Sequence, residues 1–160
     1  MVDNHHHMSG GSGLATTRHH ATHIHVLRLV PGDDLLLSIR EFVQARRLRA
    51  AFILTCVGSI GRCRLRPAGV AESRAWEDRN FEIVSLTGTM ECNELGAAAS
   101  EHLHLAVSDD KCNTFGGHVV PGCIVRTTAE IVVGVGEGLT FRRTLDERSG
   151  YAELFVEEEP

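Results

Sequence analysis

The 160-residue chain is 42% apolar and 23% charged, the balance of one globular domain with a real hydrophobic core. Its formal net charge of -5 argues against a surface built mainly to hold phosphate backbones, and no apolar run approaches the roughly 20 residues of a bilayer-spanning helix. The opening MVDNHHHMSGGSG has no apolar stretch of the signal-peptide kind, so an intracellular, cytoplasmic location is expected.

Residues 1–22 are rich in His, Gly, Ser and Thr and are expected to form a flexible tail, which holds His5, His6, His7, His19 and His20. The run HIHVLRLV predicts a first strand over residues 23–30, ended by Pro31 and Gly32. Asp33 and Asp34 then open an amphipathic helix expected over residues 33–47, with both acids in its first turn. Leu36, Ile39, Phe42 and Val43 recur at helical spacing, and Arg46, Arg47 and Arg49 close the negative end. Short strands follow over residues 51–57, 62–66, 81–92, 102–107, 115–120, 124–135, 139–145 and 151–156. Gly58, Gly61, Gly88, Gly122, Gly134, Gly136, Gly138 and Gly150 read as punctuation among them. Trp76 lies in the polar stretch AESRAWEDRN as a cap on the core or filler of a subunit contact, and residues 157–160 read as a solvated acidic tail. One helix against many strands predicts an α+β domain over residues 23–156, a mostly antiparallel twisted sheet or open barrel. Cys56, Cys63, Cys92, Cys112 and Cys123 show no C-x-x-C spacing and are expected to be free, with Cys56 and Cys63 as small buried apolar side chains.

The stretch EHLHLAVSDDKCNTFGGHVVPG carries the chemistry. Alternate residues of a strand share a face, so His102 and His104 project together while Leu103, Leu105 and Val107 take the core side. Ser108, Asp109, Asp110 and Asn113 are turn residues and predict a hairpin. His104 faces His118 when paired positions sum to 222, and His102 faces it when they sum to 220. Either even register puts three imidazoles on one face, and an odd one turns His118 away. Gly116 and Gly117 just before His118 are expected to leave room for a metal and its ligand. Three imidazoles favour zinc, with nickel, copper or iron as other divalent candidates, and leave a fourth position open. The plainer reading is three ordinary surface histidines. Glu82 and Glu130 are the carboxylates considered as completing ligands.

The run FEIVSLTGT, then HLHLAVSDD, then GGHVVPG, then FRRTLDERSGYAEL resembles the PPC domain, the plant and prokaryote conserved domain, over residues 23–156. The resemblance implies a compact antiparallel sheet with one helix, a homotrimer, and zinc held by histidines matching His102, His104 and His118. It also implies DNA as a partner, since plant relatives join this domain to an Arg-Gly-Arg-Pro AT-hook and are nuclear. This chain has no such segment and resembles the stand-alone prokaryote type. The H-x-H and G-G-H pattern is also similar to the zinc site of acetolactate decarboxylase, a likeness confined to the hairpin.

Two functions compete on these residues, beside a third possibility in which the metal only stabilises the trimer. One is a trimeric metal-binding module that contacts protein or DNA, for which Arg62, Arg64 and Arg66 form a basic stripe at period two. The other is a metal-dependent lyase or hydrolase acting on a small oxygenated molecule, whose carboxylate Arg126, Arg142 or Arg143 would hold.

Overall fold

The computed structural model describes residues 22–93 and 99–158. The tail expected over residues 1–22 lies outside them, apart from Thr22, which begins the first strand, β1 (Thr22–Leu29). One helix follows, α1 (Leu35–Ala45). It starts later than the acidic pair suggested. Asp34 is the N-cap, and its carboxylate accepts from the Leu36 and Leu37 amides at 3.0 and 3.1 Å. No acid lies in the first turn, and Arg46 caps the far end while Arg47 turns to φ +51° and ends the helix. Leu35, Leu36, Ile39 and Val43 form its buried stripe, with Phe42 half-buried beside them.

The remaining described elements are strands: β2 (Ala51–Arg66), β3 (Arg74–Trp76), β4 (Phe81–Cys92), β5 (Ala99–Ser108), β6 (Thr114–Val119), β7 (Ile124–Gly136), β8 (Leu139–Asp146) and β9 (Tyr151–Glu158). Every pairing among them is antiparallel. The main sheet runs β1-β7-β2-β4-β5-β6, and β8-β9 form a separate ribbon. The architecture is α+β, a twisted sheet and not a closed barrel. Its inner face packs Leu103, Leu105, Val107, Ile131, Val133, Phe81 and Leu65 against α1.

Three sequence expectations change. The strands expected over residues 51–57 and 62–66 are one strand, because Gly58 and Gly61 lie inside it and not between two elements. Gly58 sits at φ +145°, and a Cβ there would lie 2.0 Å from the Thr128 carbonyl oxygen, so it is the point where β2 presses on β7. Trp76 belongs to the short strand β3, paired with Cys63, and its ring stacks 4.4 Å from Phe115, which makes it a cap on the core. The acidic end is not wholly tail: Glu157 and Glu158 continue β9, and Glu157 pairs with Arg142 at 2.7 Å. The five cysteines are free; Cys56, Cys63, Cys92 and Cys123 are buried, and burial pushes the Cys56 thiol up to about 12.

Candidate metal centre

The inner residues of β5 fix where its outer ones point. Leu103, Leu105 and Val107 are each no more than 1% exposed, so His102, His104 and Ala106 stand on the opposite face. β6 pairs with β5 in the register that sets His104 opposite His118 and Ala106 opposite Gly116, the even register expected from the hairpin. All three imidazoles therefore leave the sheet on one side. Their potential ligand atoms lie within 4.8 Å of one another. The Nε2 atoms of His102 and His104 are 3.2 Å apart, close to the roughly 3.4 Å edge of a tetrahedron with metal–nitrogen bonds near 2.1 Å. The donor set and its geometry fit a zinc-type ion.

The two glycines before His118 act differently from the expectation. A Cβ at Gly116 would meet the Leu105 carbonyl oxygen at 2.7 Å, and one at Gly117 would meet that of Arg66 at 2.8 Å. They let β6 pass tightly between β5 and the end of β2, and the room they make is for backbone. That passage sets Arg66 opposite His118.

Burial, chiefly, holds His102 and His118 below the ordinary imidazole range, and Arg66 adds to the effect on His118. His104 and Arg143 add to it on His102, and Glu153 opposes it. Both rings are thus neutral, ligand-ready bases near pH 7. The sign for stability follows from the depressed values. Below about pH 6.5 the unfolded chain protonates these rings before the folded one does. Metal-free protein should therefore lose stability as pH falls from about 6.5 to the lower folded values, and change little above that window. Urea melts in chelator at stepped pH check this; a His102→Gln/His118→Gln double variant should show a flatter profile.

Other candidates separate cleanly. Glu82 pairs across to Ser108, four positions from His104 and so roughly 13 Å along β5. Glu130 is on β7, three strands from β5, or about 14 Å. Neither completes the centre. Arg62, Arg64 and Arg66 do share an exposed face, alternating with buried Cys63 and Leu65. Arg62 is engaged by Glu77, and Arg64 donates to the Ser73 hydroxyl at 2.8 Å. Arg126 projects beside Gly61, and Arg142 is held by Glu157. Arg143 alone of that trio reaches the centre. It donates to the Thr89 hydroxyl, the residue opposite His102, and to Glu91 at 3.3 Å. Thr89, Glu91 and Glu153 escaped the sequence reading: β4-β5 pairing brings Thr89 and Glu91 beside His102, and the docking of the β8-β9 ribbon brings Glu153.

The chain matches known proteins over most of its length. It is 40% identical over 134 residues to the bifunctional protein GlmU of Synechococcus sp. (strain JA-3-3Ab), covering 84% of this chain and 20% of that one. It is 35% identical over 112 residues to AT-hook motif nuclear-localized protein 5 of Arabidopsis thaliana, covering 69% and 28%. The chain thus spans about a fifth of the length of the first curated relatives it matches. Among solved structures, a hypothetical protein from Salmonella superimposes with a TM-score of 0.80 at 42% identity, over 88% of this chain and 99% of that one. A metal-containing protein from Archaeoglobus fulgidus shares the fold with a TM-score of 0.69 at 23% identity, over 89% and 99%. The model of the Plants and Prokaryotes Conserved (PCC) domain matches residues 17–137, and with it the resemblance read from the motifs becomes a family assignment: this chain belongs to the PCC domain family.

Proposed function

We propose that this PCC domain holds a divalent transition metal, zinc first, on His102, His104 and His118, and does so as a homotrimer. The observation that carries the metal reading is the convergence of three imidazoles within 4.8 Å on one sheet face. The metal-containing relative of the same fold supports it. When bound, such an ion supplies a Lewis acid with an open coordination position for water or a small oxygenated molecule. The protein's part is to fix the three rings on adjacent strands and to keep them neutral. The test is elemental analysis of full-length protein in which His5, His6, His7, His19 and His20 are replaced by serine. About one zinc per folded chain is expected; folded protein that takes up no divalent ion overturns the reading.

The trimer has its own support. The helix covers the inner face of the sheet, while Ile24, Val26, Leu54, Val57 and Val84 stay exposed, Val26 by 75%. Cross-strand pairing places Ile24 opposite Gly134, Gly134 opposite Phe52, Phe52 opposite Thr89 and Thr89 opposite His102, a continuous row on the histidine face. Exposed apolar side chains gathered on one sheet face favour an interaction surface there. Light scattering should give three times the 17.5 kDa chain mass. Val26→Glu should shift the mass toward one chain, because a charge buried at a contact is costly. A parent of single-chain mass ends the trimer proposal.

Of the two roles the sequence left open, chemistry on a small ligand at the metal has the more specific support, because Arg143 stands beside His102. The AT-hook relatives point to DNA, and that contact would fall to the arginine stripe. Two of its three members are already engaged, and the net charge is -5. Duplex DNA at about 0.1 M salt is expected to bind only weakly and without sequence preference, with a shallow salt slope. Submicromolar binding would favour the DNA role. A cytoplasmic, reducing compartment accords with five free cysteines.

A further inference from the structure

The charges around the three histidines are unbalanced. Neutral imidazoles bring no negative charge to an ion. Two guanidinium groups flank them: Arg66, directly opposite His118, and Arg143, on the ribbon beside His102. Arg66 is exposed and has no ion-pair partner among the described residues. The nearby carboxylates are mostly committed. Glu101 is gripped at both oxygens by Arg40, and one oxygen of Glu91 accepts from Arg143. Glu153 alone acts on His102 with opposite sign, against Arg143 and Arg66. A divalent ion here would leave a strong positive excess, which an anionic ligand would neutralise.

Arg143 is built to take that ligand. Its side chain is 13% exposed, and the Glu91 side chain that anchors it is 7% exposed. The two contacts to Glu91 and Thr89 use two of its five N–H donors. A cleft of about 350 Å³ opens at this point, lined by Arg143, Glu91, Ser100, Thr140 and Phe141 among others. That is the size of a small-molecule site. The second oxygen of Glu91 is buried there without a hydrogen bond of good geometry, and the Ser100 hydroxyl beside it is close enough to stabilise the carboxylate, so the lining offers polar groups to a hydroxylated ligand. Ser100, opposite Glu91, and His102 lie two positions apart on the same strand face, so cleft and histidines adjoin.

From this placement we infer that Arg143 and the cleft beside it form the recognition subsite for a small hydroxylated monocarboxylate, whose carboxylate lies on Arg143 while an oxygen reaches the metal. The inference rests on the metal reading above. A carboxylate suits Arg143 because its two oxygens match the planar fork of the guanidinium. Glu91 acts as a positioning residue that holds the guanidinium in place. Arg66 adds long-range attraction from the opposite side.

The test uses full-length protein with the five N-terminal histidines replaced by serine, loaded with cobalt(II) and titrated with lactate. The visible absorption of the cobalt reports changes at the ion without any assay of turnover. Lactate should perturb the spectrum of the parent. Arg143→Gln should load cobalt normally yet weaken lactate at least about tenfold. Arg143→Lys, which keeps the charge and loses the planar fork, should weaken it several-fold. Arg126→Gln should leave it unchanged. Should the glutamine variant fold poorly, the lysine variant decides: parent-like lactate affinity there overturns the subsite. Phosphate binding more tightly than lactate overturns the carboxylate assignment. A parent that loads cobalt but ignores lactate overturns the subsite and leaves the metal centre standing; a parent that loads no cobalt removes both.

Discussion

Replacing His118 with alanine is expected to abolish stoichiometric metal while leaving the fold intact. The ring stands on the outer face, half-buried, and its removal opens no core cavity. Two imidazoles from one strand cannot enclose a tetrahedral ion. Loss of mere outer-shell partners already costs 10- to 100-fold in metal affinity, so a lost ligand should cost at least about a hundredfold. Elemental analysis of the variant, again with the N-terminal histidines replaced, should show a residue of metal beside roughly one ion per chain in the parent. Zinc at a hundredfold excess over its dissociation constant should stabilise the parent by about 2.7 kcal/mol, or roughly 5–10 °C in midpoint, and the variant hardly at all. Circular dichroism should be alike for both. Equal metal in parent and variant would place the ion elsewhere.

The second large effect is on the fold, through Gly88→Ala. Gly88 sits within β4 at φ +135°, a conformation L side chains rarely adopt. A Cβ there would lie 1.9 Å from the carbonyl oxygen of His102, a contact that must be relieved by moving backbone. Strain of this kind costs about 1–3 kcal/mol before the clash is added, so a loss of about 3 kcal/mol or more is expected. The thermal midpoint should fall by roughly 10 °C. Because β4 can relax only by shifting against β5, zinc affinity should fall as well, although no ligand has been altered. A Gly138→Ala control, at a turn with positive φ and open space around it, should cost much less. Comparable losses at the two glycines would show that left-handed backbone alone, and not the β4-β5 approach, sets the cost.

The histidine centre was legible because its logic is local. Period-two alternation fixed which residues of β5 face the core, and one hairpin register carried His118 onto the same side. What the sequence concealed was tertiary. Arg143 and Glu153 sit 39 and 49 residues beyond His104, on a ribbon that only folding brings back to β4. Glycine was ambiguous for the same reason. Gly58 looks like a break and is a pressure point inside a strand of 16 residues. Asp33 and Asp34 look alike in sequence, yet only Asp34 caps the helix; Asp33 accepts the Val30 amide in the turn before it. The acidic end read as tail because charge at a terminus usually is, whereas Glu157 is a rung of the ribbon.

The position of β7 has a consequence for how the chain acquires its shape. This strand lies between β1 and β2, yet it is the third from last to be made. Thr22 waits for Gly136, and Ala51 for Val135. Until residue 136 has left the ribosome, the N-terminal strand has no neighbour and β2 presents an unsatisfied edge, while the β5-β6 hairpin with its histidines can already close. The histidine-bearing hairpin is therefore available to nucleate order early, and the strand that joins β1 to β2 is supplied late. Such late, distant pairing makes for slow folding and a vulnerable nascent chain.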